Sequence, residues 1–503
     1  MVDPLLQPLL ESVGREGRQT VTLETKAQSP SAPWEERLRT MPIGYRLFTV
    51  VLLAIVAHAP AVRAAEPGNG EIPAAIDRDS PVPVLPGLEP QVEFWKQVFA
   101  TYTTRQVVIH DALHLDRIYE VLDFEPLTDG VLSDAEIAAY AQDKVRSEKE
   151  RLRTILLELH QRASNPGELS PEEAKIWALF PDVDNPSRFL DAAADDRIRS
   201  QTGLRERFAA GVEVARGHLP EMEAVFRREG LPIELTRLPL VESCFNLHAY
   251  SKVGAAGIWQ FMPSTARLYM QVDRALDERR DPIVSTRAAA RFLRANYNVL
   301  GSWPLAITAY NHGRAGVANA VATVGSDDLM VIIREYQGPA FKFASRNFYA
   351  EFLAALDVER HASQYFGGLS PVRRPRTDSV ILSDRVTIQA AARASGSDVG
   401  TLAQLNPALT RDVVAGKFPI PKGYALRIPV GSAANFQVRY ASVRAEEKRA
   451  AAKPRYVVHR VKAGQTLAGI AKRHGTTVAA LRRHNKLRAD RVRPGQSLTI
   501  PTT

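Results

Sequence analysis

The sequence predicts a multidomain, mainly α-helical protein, in which a helical body with an N-terminal helical layer is followed by two small β-α-α-β modules. Three observations carry this prediction. With 503 residues, of which 45% are apolar, the chain is long enough for two to four globular domains. Apolar positions recur at a helical period from Phe94 to about Gly230 and again from Leu231 onward. Towards the C-terminus, the sequence repeats itself.

An apolar run near the N-terminus predicts export. Leu47 to Ala57 is about eleven residues long, too short for a bilayer core that needs about twenty, and Val62-Arg63-Ala64 gives a small-residue cleavage pattern. We therefore expect a signal peptide that is cleaved before Ala65. Because Met41 precedes the run, we expect translation to start there and residues 1–40 to be a misassigned extension. An uncleaved anchor with a cytoplasmic extension is the alternative.

The next part of the chain is predicted to be a linker and then a helical layer. Residues 65–90 are rich in proline and glycine, and the stretches Val98 to Leu122 and Arg205 to Arg228 have a helical period. His110 and His114 stand one helical turn apart, a spacing that could hold a metal. Since no glutamate follows His110, as a zinc protease would need, a solvated helix face is the favoured interpretation.

The net charge and the cysteine content limit which binding partners and which cysteine-based sites the protein can have. The net charge of +9 favours an acidic partner, which could be nucleic acid, an anionic membrane surface or acidic cell-wall peptides. The sequence has no Walker loop, no paired Cys-x-x-Cys and no recognition-helix signature, which argues against nucleic acid. The single cysteine, Cys244, lies far from the predicted cleavage point, so we expect no lipid anchor, no internal disulfide and no cysteine zinc site.

Glu242 is the best-placed carboxylate of the chain. Four apolar residues at helical spacing precede it, which predicts a position near the C-terminal end of a largely buried helix. Leu240, Val241 and Phe245 would disfavour the charged form of this carboxyl and raise its pKa. A raised pKa suits a general acid that donates a proton to a leaving oxygen and later accepts one. Glu242 is therefore the catalytic candidate.

Three sequence blocks resemble motifs of the soluble-lysozyme-like (SLT) lytic transglycosylases. They are Glu242-Ser243, Gly257-Ile258-Trp259-Gln260 and Ala309-Tyr310-Asn311 with Gly313 shortly after. Each block is weak by itself, but three blocks in the order and spacing of the family are a specific signal. The resemblance covers about residues 231–356 and implies a mainly α lysozyme-like domain that acts as a lyase on peptidoglycan.

The resemblance also implies a reaction that needs one protein carboxylate, whereas ordinary glycosidases use two. In the resembled family, the N-acetyl group of N-acetylmuramic acid (MurNAc) assists departure of N-acetylglucosamine (GlcNAc), and the MurNAc 6-hydroxyl then attacks. Glu242 would first donate and then accept the proton, and the β-1,4 bond would break without water to leave a 1,6-anhydro end. No cofactor and no metal ion are implied. The substrate-binding residues implied by the resemblance are Ser243, Ser251, Gly257, Ile258, Trp259, Gln260, Tyr310, Asn311 and Tyr349.

Several of these residues also have a structural interpretation. Ser243 and Ser251 could end a helix or form a turn. Trp259 is expected to pack under the cleft, although an aromatic face can also stack on a sugar. Tyr349 lies one position from the simplest alignment with the tyrosine of the family's fourth motif.

Other interpretations of this segment remain open. Cys244 and His248, four residues apart, could form a cysteine hydrolase, although catalytic cysteine and histidine usually come from separate elements. The domain could bind the wall without catalysis. A lysozyme-type hydrolase would need a second carboxylate. The acidic residues between Asp273 and Asp281 lie in a charged segment that we interpret as a solvated loop.

The repeat near the C-terminus predicts two related modules. Shifted by 79 positions, Thr466, Gly475 and Asn485 fall on Thr387, Gly396 and Asn406, and the first copy has extra residues before its closing Ile-Pro. The second copy predicts a strand from Tyr456 to Val461, helices from Thr466 and Thr477, and a strand through Leu498 to Ile500.

This pattern resembles LysM domains, which bind GlcNAc-containing chains. In the second copy, the resemblance implies a glycan-binding loop of Gly464, Gln465, Thr466 and Leu467. The first copy has Arg385 in place of the turn glycine, which puts its sugar binding in doubt. The expected partner is therefore the glycan strands of peptidoglycan, at the periplasm or cell envelope. The expected limits are 1–64 for the extension and signal peptide, 65–90 for a linker, 91–230 for the helical N-terminal region, 231–370 for the catalytic domain, 378–430 for the degenerate LysM-like module, 431–454 for a linker and 455–503 for the LysM domain.

Overall fold

A computed structural model describes residues 81–127, 132–165, 167–370, 372, 375–442, 455–487 and 489–502. The predicted signal peptide, most of the linker that follows it and residues 443–454 lie outside the described residues. From Val84 onward the chain belongs to one unit. Among the described residues, no single helix is long and apolar enough to cross a membrane, and the one pair that passes by combined length and composition, Arg314–Val324 with Leu329–Glu335, is bent by 80°.

The N-terminal region combines helices with a three-stranded antiparallel sheet of order β2-β1-β3. Helix α2 begins with a capping box in which Ser133 and Glu136 satisfy each other's backbone N–H groups. Apolar residues of α2 and α4 pack on the sheet around Ile109 and Tyr119. The elements are α1 Glu89–Ala100, β1 Gln106–Asp111, β2 Ile118–Asp123, α2 Asp134–Gln161, α3 Pro171–Ala178, α4 Arg188–Ala192, β3 Ile198–Thr202 and α5 Arg205–Arg228.

The helical prediction for Val98 to Leu122 is therefore wrong after Ala100. Strand β1 lies between two others and is buried along its last four residues. A short strand that is buried on both faces loses the alternation of apolar and polar residues, so periodicity cannot distinguish it from a helix. His110 lies inside this strand and His114 in the turn after it, so neither lies on a solvated helix face. His110 is fully buried against Phe94, and burial lowers its pKa to about 4.

The predicted catalytic body surrounds one central helix, α12, Phe343–Arg360, which is buried along most of its length. Helices α1, α6 and α9 pack on it, and Lys96 of α1 forms an ion pair with Asp357 at 3.2 Å. Packing is thus continuous across the predicted boundary at residue 230, and that boundary stays a prediction. The remaining elements of the body are α6 Leu238–Ser243, α7 Pro263–Ala266, α8 Pro282–Leu300, α9 Trp303–His312, α10 Arg314–Val324, α11 Leu329–Glu335 and α13 Ala362–Phe366.

The first repeat copy is a β-α-α-β module with two additions. Strands β4 and β5 pair antiparallel, and the extra residues of this copy form the short helix α16. Phe436 and Tyr440 stack on each other and are buried in the core of the module, so helix α17 belongs to it rather than to the predicted linker. An apolar pair at i, i+4 predicts such a face, which the charged composition of the neighbouring residues concealed. The elements are β4 Thr377–Ile381, α14 Ile388–Ser395, α15 Val399–Leu405, α16 Arg411–Val414, β5 Ala425–Pro429 and α17 Ala433–Ser442.

The second copy has the predicted order of elements and its own apolar core. The repeated asparagine forms equivalent hydrogen bonds in both copies. Asn406 donates to Leu402 O and Arg427 O at 2.9 and 2.7 Å, and Asn485 donates to the carbonyls of Leu481 and Thr499 at the same distances. Each asparagine thus joins the second helix to the closing strand. The elements are β6 Arg455–Arg460, α18 Leu467–Arg473, α19 Val478–His484 and β7 Ser497–Thr502.

Candidate active site

Glu242 lies at the C-terminal end of a short buried helix, as the sequence predicts. Helix α6 continues from a 3-10 turn over Ile233–Arg237. It ends abruptly because Cys244 and Phe245 both adopt left-handed backbone conformations, with φ of 45° and 54°. Non-glycine residues in this region are uncommon and cluster at functional sites. The turn fixes the position at which the chain presents the Glu242 side chain.

The Glu242 carboxyl is almost withdrawn from water. Its residue is 4% exposed, and its Oε2 has no hydrogen-bond partner among the described residues. Burial and, to a smaller extent, the neighbouring Glu351 carboxyl together raise its pKa to about 7. The sequence-based expectation of a desolvated carboxyl with a raised pKa is confirmed. Such a group can hold a proton at neutral pH and release it when a basic oxygen arrives.

Glu351, which sequence reasoning missed, supplies a second buried carboxyl. It lies on the central helix α12, which packs against α6, and it is 4% exposed. Burial raises its pKa to about 7 as well. The sequence analysis thus identified only one of the two buried carboxyls in this region. No local motif marks Glu351, since only the packing of two distant helices brings it to Glu242.

The three predicted motifs meet at one loop, Gly254–Phe261, which we call the catalytic loop. Ser243 Oγ, next to Glu242, donates to Ile258 O at 3.0 Å. From the other side, Tyr310 Oη donates to Trp259 O at 2.8 Å. Within the loop, Gln260 Nε2 donates to Gly257 O at 2.8 Å. Side chains of all three motifs thus hold the backbone of the loop.

Gly257 is required by close packing. Its φ is +74°, and a Cβ built on it would lie 1.8 Å from Arg279 O. No other residue fits such an approach without moving the backbone. Gln260, also left-handed with φ of 47°, completes the tight turn.

Several side chains that are predicted to bind substrate are buried or form hydrogen bonds within the protein. Ile258 and Trp259 are buried, and Trp259 Nε1 donates to Thr286 Oγ1 at 2.9 Å. Trp259 therefore packs beneath the loop. Ser251 Oγ accepts from Ala255 N at 2.8 Å and so closes a turn. Their substrate roles stay predictions, and for Trp259 and Ser251 the structural interpretation accounts for the contacts.

Tyr310 and Asn311 lie beside these groups on helix α9. Tyr310 is close enough to Glu242 for its pKa to be raised well above the usual range by burial and by the carboxylate. Asn311 is half-buried, and its Oδ1 accepts from Ser345 Oγ at 3.4 Å. Tyr349 is fully buried on α12, and burial raises its pKa. A buried Tyr349 can support the floor of the site, and a direct contact with substrate stays a prediction.

The structure does not have the helical spacing assumed for the alternative cysteine and histidine pair. Helix α6 ends at Ser243, before Cys244 and His248. His248 is exposed. Among the described residues, no group of three or more His, Cys, Asp or Glu side chains could hold a metal ion.

The acidic segment between Asp273 and Asp281 is not the solvated loop that its composition predicts. Asp281 is 2% exposed and forms an ion pair with Arg427 of the first module at 2.5 Å. Arg279 is 2% exposed and is held by both carboxylate oxygens of Asp277 at 2.8 Å. Because every charge in these pairs meets an opposite charge, a strongly charged sequence can be buried against a neighbouring module.

The predicted glycan-binding loop of the second module is ordered largely by its own side chains. Gly464 has φ of +79°, and Gln465 Oε1 accepts from Lys462 N at 2.9 Å. Thr466 caps α18, and Leu467 is buried in the module core. A glycan contact at Leu467 would have to use its backbone, and glycan binding by the loop stays a prediction.

Comparisons with known proteins give a consistent picture. Family models match at residues 222–332 (transglycosylase SLT domain), 376–445 (lytic transglycosylase MltD, LysM-like domain) and 459–501 (LysM domain). Membrane-bound lytic murein transglycosylase D from each of two strains of Escherichia coli is 32% identical over 293 residues, which cover 54% of this chain and 61% of the relative. The X-ray structure of an inactive mutant of lytic transglycosylase Slt from Pseudomonas aeruginosa matches at 18% identity, with a TM-score of 0.26, over 43% of this chain and 37% of that chain.

These matches can be compared with the predictions made from the sequence. The chain spans 61% of the length of the relatives from Escherichia coli. The first module's model extends to residue 445, which agrees with the inclusion of helix α17. The three motifs around Glu242 thus lie in a segment that matches an SLT domain, and the repeated asparagines Asn406 and Asn485 lie in the following segments that match a LysM-like and a LysM domain.

Proposed function

We propose that this protein is a peptidoglycan lytic transglycosylase that cleaves the MurNAc-GlcNAc β-1,4 bond and leaves 1,6-anhydro-MurNAc ends. The observation that carries the proposal is the buried Glu242 carboxyl, whose pKa is raised to about 7 and whose Oε2 has no partner among the described residues. The SLT domain match and the relatives named murein transglycosylase support the choice of substrate.

In this mechanism Glu242 starts protonated and donates its proton to the glycosidic oxygen. The bond to the leaving GlcNAc then breaks, and the substrate N-acetyl group stabilises the anomeric carbon. The Glu242 carboxylate next accepts the proton of the MurNAc 6-hydroxyl as that oxygen attacks. A well-aligned internal nucleophile can reach an effective molarity of roughly 10⁵ M or more, enough to outcompete water at about 55 M.

The second candidate is a lysozyme-type hydrolase, and Glu351 is the observation that favours it. Hydrolysis uses two carboxyl groups, one as an acid and one as a base or nucleophile. Glu351 is a second carboxyl in electrostatic contact with Glu242. Glu351 is, however, 4% exposed, and burial raises its pKa to about 7, which favours its neutral form relative to an exposed carboxyl and so makes it a poor nucleophile or base. A wall-binding protein without activity is the third candidate, and the retained Glu242 speaks against it.

Product analysis separates the three. Purified sacculi would be digested and the soluble muropeptides analysed by mass, with a lysozyme digest of the same material as the control. We expect fragments that are lighter by one water than the lysozyme products and that resist borohydride reduction. Reducible ends would support the hydrolase, and the absence of soluble fragments would support the inactive binding protein.

We further propose that the protein acts in the periplasm or at the cell envelope, where the LysM domain binds glycan strands. The relatives in Escherichia coli are named as membrane-bound. The apolar run from Leu47 supports export, and the position of the only cysteine at 244 supports a mature form without lipid. Intact mass and N-terminal sequencing of exported material should give a chain that begins near Ala65 and carries no acyl group.

A further inference from the structure

The segment Val272–Asp281, which we call the connecting segment, joins the catalytic body to the LysM-like module. Leu276 of this segment is 2% exposed and lies in the apolar core of the module, where it forms a β-bridge with Leu409. The side chain of one domain thus completes the core of another. A module tethered only by a flexible linker would not share its core in this way.

Polar contacts reinforce this shared core. Asp277 N donates to Ala408 O at 2.7 Å, and Thr410 Oγ1 donates to Arg274 O at 2.7 Å. The ion pair between Arg427 and Asp281 closes the far end of the segment, and Asp281 also caps the first turn of α8. The module therefore holds the connecting segment by backbone, side-chain and charge contacts.

The opposite side of the same segment faces the catalytic loop. Arg279 is bound through its Nε and Nη2 by Asp277, and its Nη1 donates to Gly254 O at 2.6 Å and to Phe261 O at 3.0 Å. These two carbonyls are the two ends of the catalytic loop. The Arg279 carbonyl also packs against Gly257, at the centre of the loop. One buried guanidinium thus ties the ends of the loop to a carboxylate of the connecting segment.

From these contacts we propose that Arg279 is a positioning residue and that the LysM-like module acts through it to hold the catalytic loop against Glu242. In this role the module is a structural part of the active site rather than a separate carbohydrate-binding unit. The path runs from Leu276 in the module core, through Asp277 and Arg279, to the loop whose carbonyls accept from Ser243 and Tyr310. Arg385 in place of the turn glycine is consistent with a module that has kept its fold for another purpose.

The proposal rests on the proposed function, since it is read out through turnover. We would compare Leu276→Ala, Asp277→Asn and Asp277→Glu with wild type on a soluble glycan fragment. Asp277→Asn keeps the shape of the side chain but removes the charge that holds the guanidinium. The matched control is Lys417→Met, which removes an exposed ion pair with Asp412 in the same module and leaves the contacts of Leu276 and Asp277 in place.

We expect Leu276→Ala and Asp277→Asn to lower kcat by about 10- to 100-fold with little change in KM, because a loop displaced by about 1 Å misaligns the reacting groups. Asp277→Glu should recover part of the loss, and Lys417→Met should have wild-type kcat. Hydrogen exchange at the amides of Gly257 and Gln260, which donate to Ala249 O and Gly257 O, should be faster in the two damaging variants.

Two results would overturn the proposal. One is wild-type kcat in Asp277→Asn, whose isosteric change decides the question if Leu276→Ala does not fold. The other is a raised KM at constant kcat, which would make the module a substrate-binding unit. A wild-type protein that releases no 1,6-anhydro fragments would refute the proposed function itself, whereas an active wild type with unaffected variants would refute only this inference.

Discussion

Replacing Glu242 by glutamine should raise stability at neutral pH while it removes activity. The substitution keeps the size of the side chain and removes both the charge and the transferable proton. Its effect on stability follows from the burial of the carboxyl, which raises its pKa from 4.5 to about 7 in the folded protein. The unfolded chain therefore releases this proton at a lower pH than the folded chain does.

The direction of the pH dependence of stability follows from this difference in pKa between the folded and unfolded chain. For a carboxyl with a raised pKa, the full stability is present below pH 4.5 and is lost as the pH rises through about 7. A shift of this size corresponds to about 3 kcal/mol at and above that pH, at about 1.4 kcal/mol for each pKa unit. The glutamine variant does not carry this penalty. It also removes a negative neighbour from Glu351, so we expect the pKa of Glu351 to fall.

The assay is a pair of thermal melts, of wild type and Glu242→Gln, at pH 4.5 and pH 8, together with turnover of sacculi. The two proteins should melt at similar temperatures at pH 4.5, and the variant should melt higher at pH 8, by about 2–4 °C for each kcal/mol in a domain of 150–250 residues. Turnover should fall by about 100-fold or more, because an amide cannot transfer the proton.

Near wild-type turnover would refute the assignment of Glu242 as the general acid. A difference in melting temperature that is the same at both pH values would refute the argument from burial, even if activity were lost. A cooperative thermal transition shows that the variant is folded, and retention on insoluble peptidoglycan should be unchanged, because the LysM module that is proposed to bind it has its own core.

Three further predictions address other parts of the chain. Glu351→Gln should keep the 1,6-anhydro product and shift the alkaline limb of the pH-rate profile to lower pH, because the Glu351 carboxylate raises the pKa of Glu242. Reducible product ends, or complete inactivity of a folded variant, would contradict this prediction. Cys244→Ser should have turnover within about twofold of wild type, since the left-handed backbone conformation of Cys244 is what ends helix α6. An inactive but folded variant would support the cysteine hydrolase interpretation. Removal of residues 455–503 should weaken retention on insoluble peptidoglycan but spare cleavage of soluble fragments, because this module has its own core; unchanged retention would mean that it has another ligand.

Local patterns in the sequence identified Glu242 as the catalytic candidate and predicted its buried environment. Glu242 follows apolar residues at helical spacing, and the structure places it at the end of a buried helix. The second repeat copy was predictable element by element because its strands, turn glycine and helix-capping threonines each have a local signal. The same repeat aligned Asn406 with Asn485, and the structure gives the two residues equivalent hydrogen bonds.

Other features had no local signal because they depend on partners that are distant in the chain. Strand β1 looks helical because neighbouring strands and helices bury both its faces, and that burial is decided by long-range pairing. The segment from Asp273 to Asp281 has the composition of a solvated loop, and only the arrival of Arg427 and the module core makes it buried.

Sequence alone thus determined the fold class, the candidate acid Glu242 and the order of the modules, since each depends on residues that are close in the chain. Tertiary structure decided that Glu351 lies in electrostatic contact with Glu242, and that one face of the connecting segment holds the catalytic loop while the other completes a neighbouring core. The physical reason is the same in each case. The free-energy cost of burying a charge depends on whether an opposite or a like charge lies next to it. Which charges become neighbours is decided only when distant helices and modules pack together.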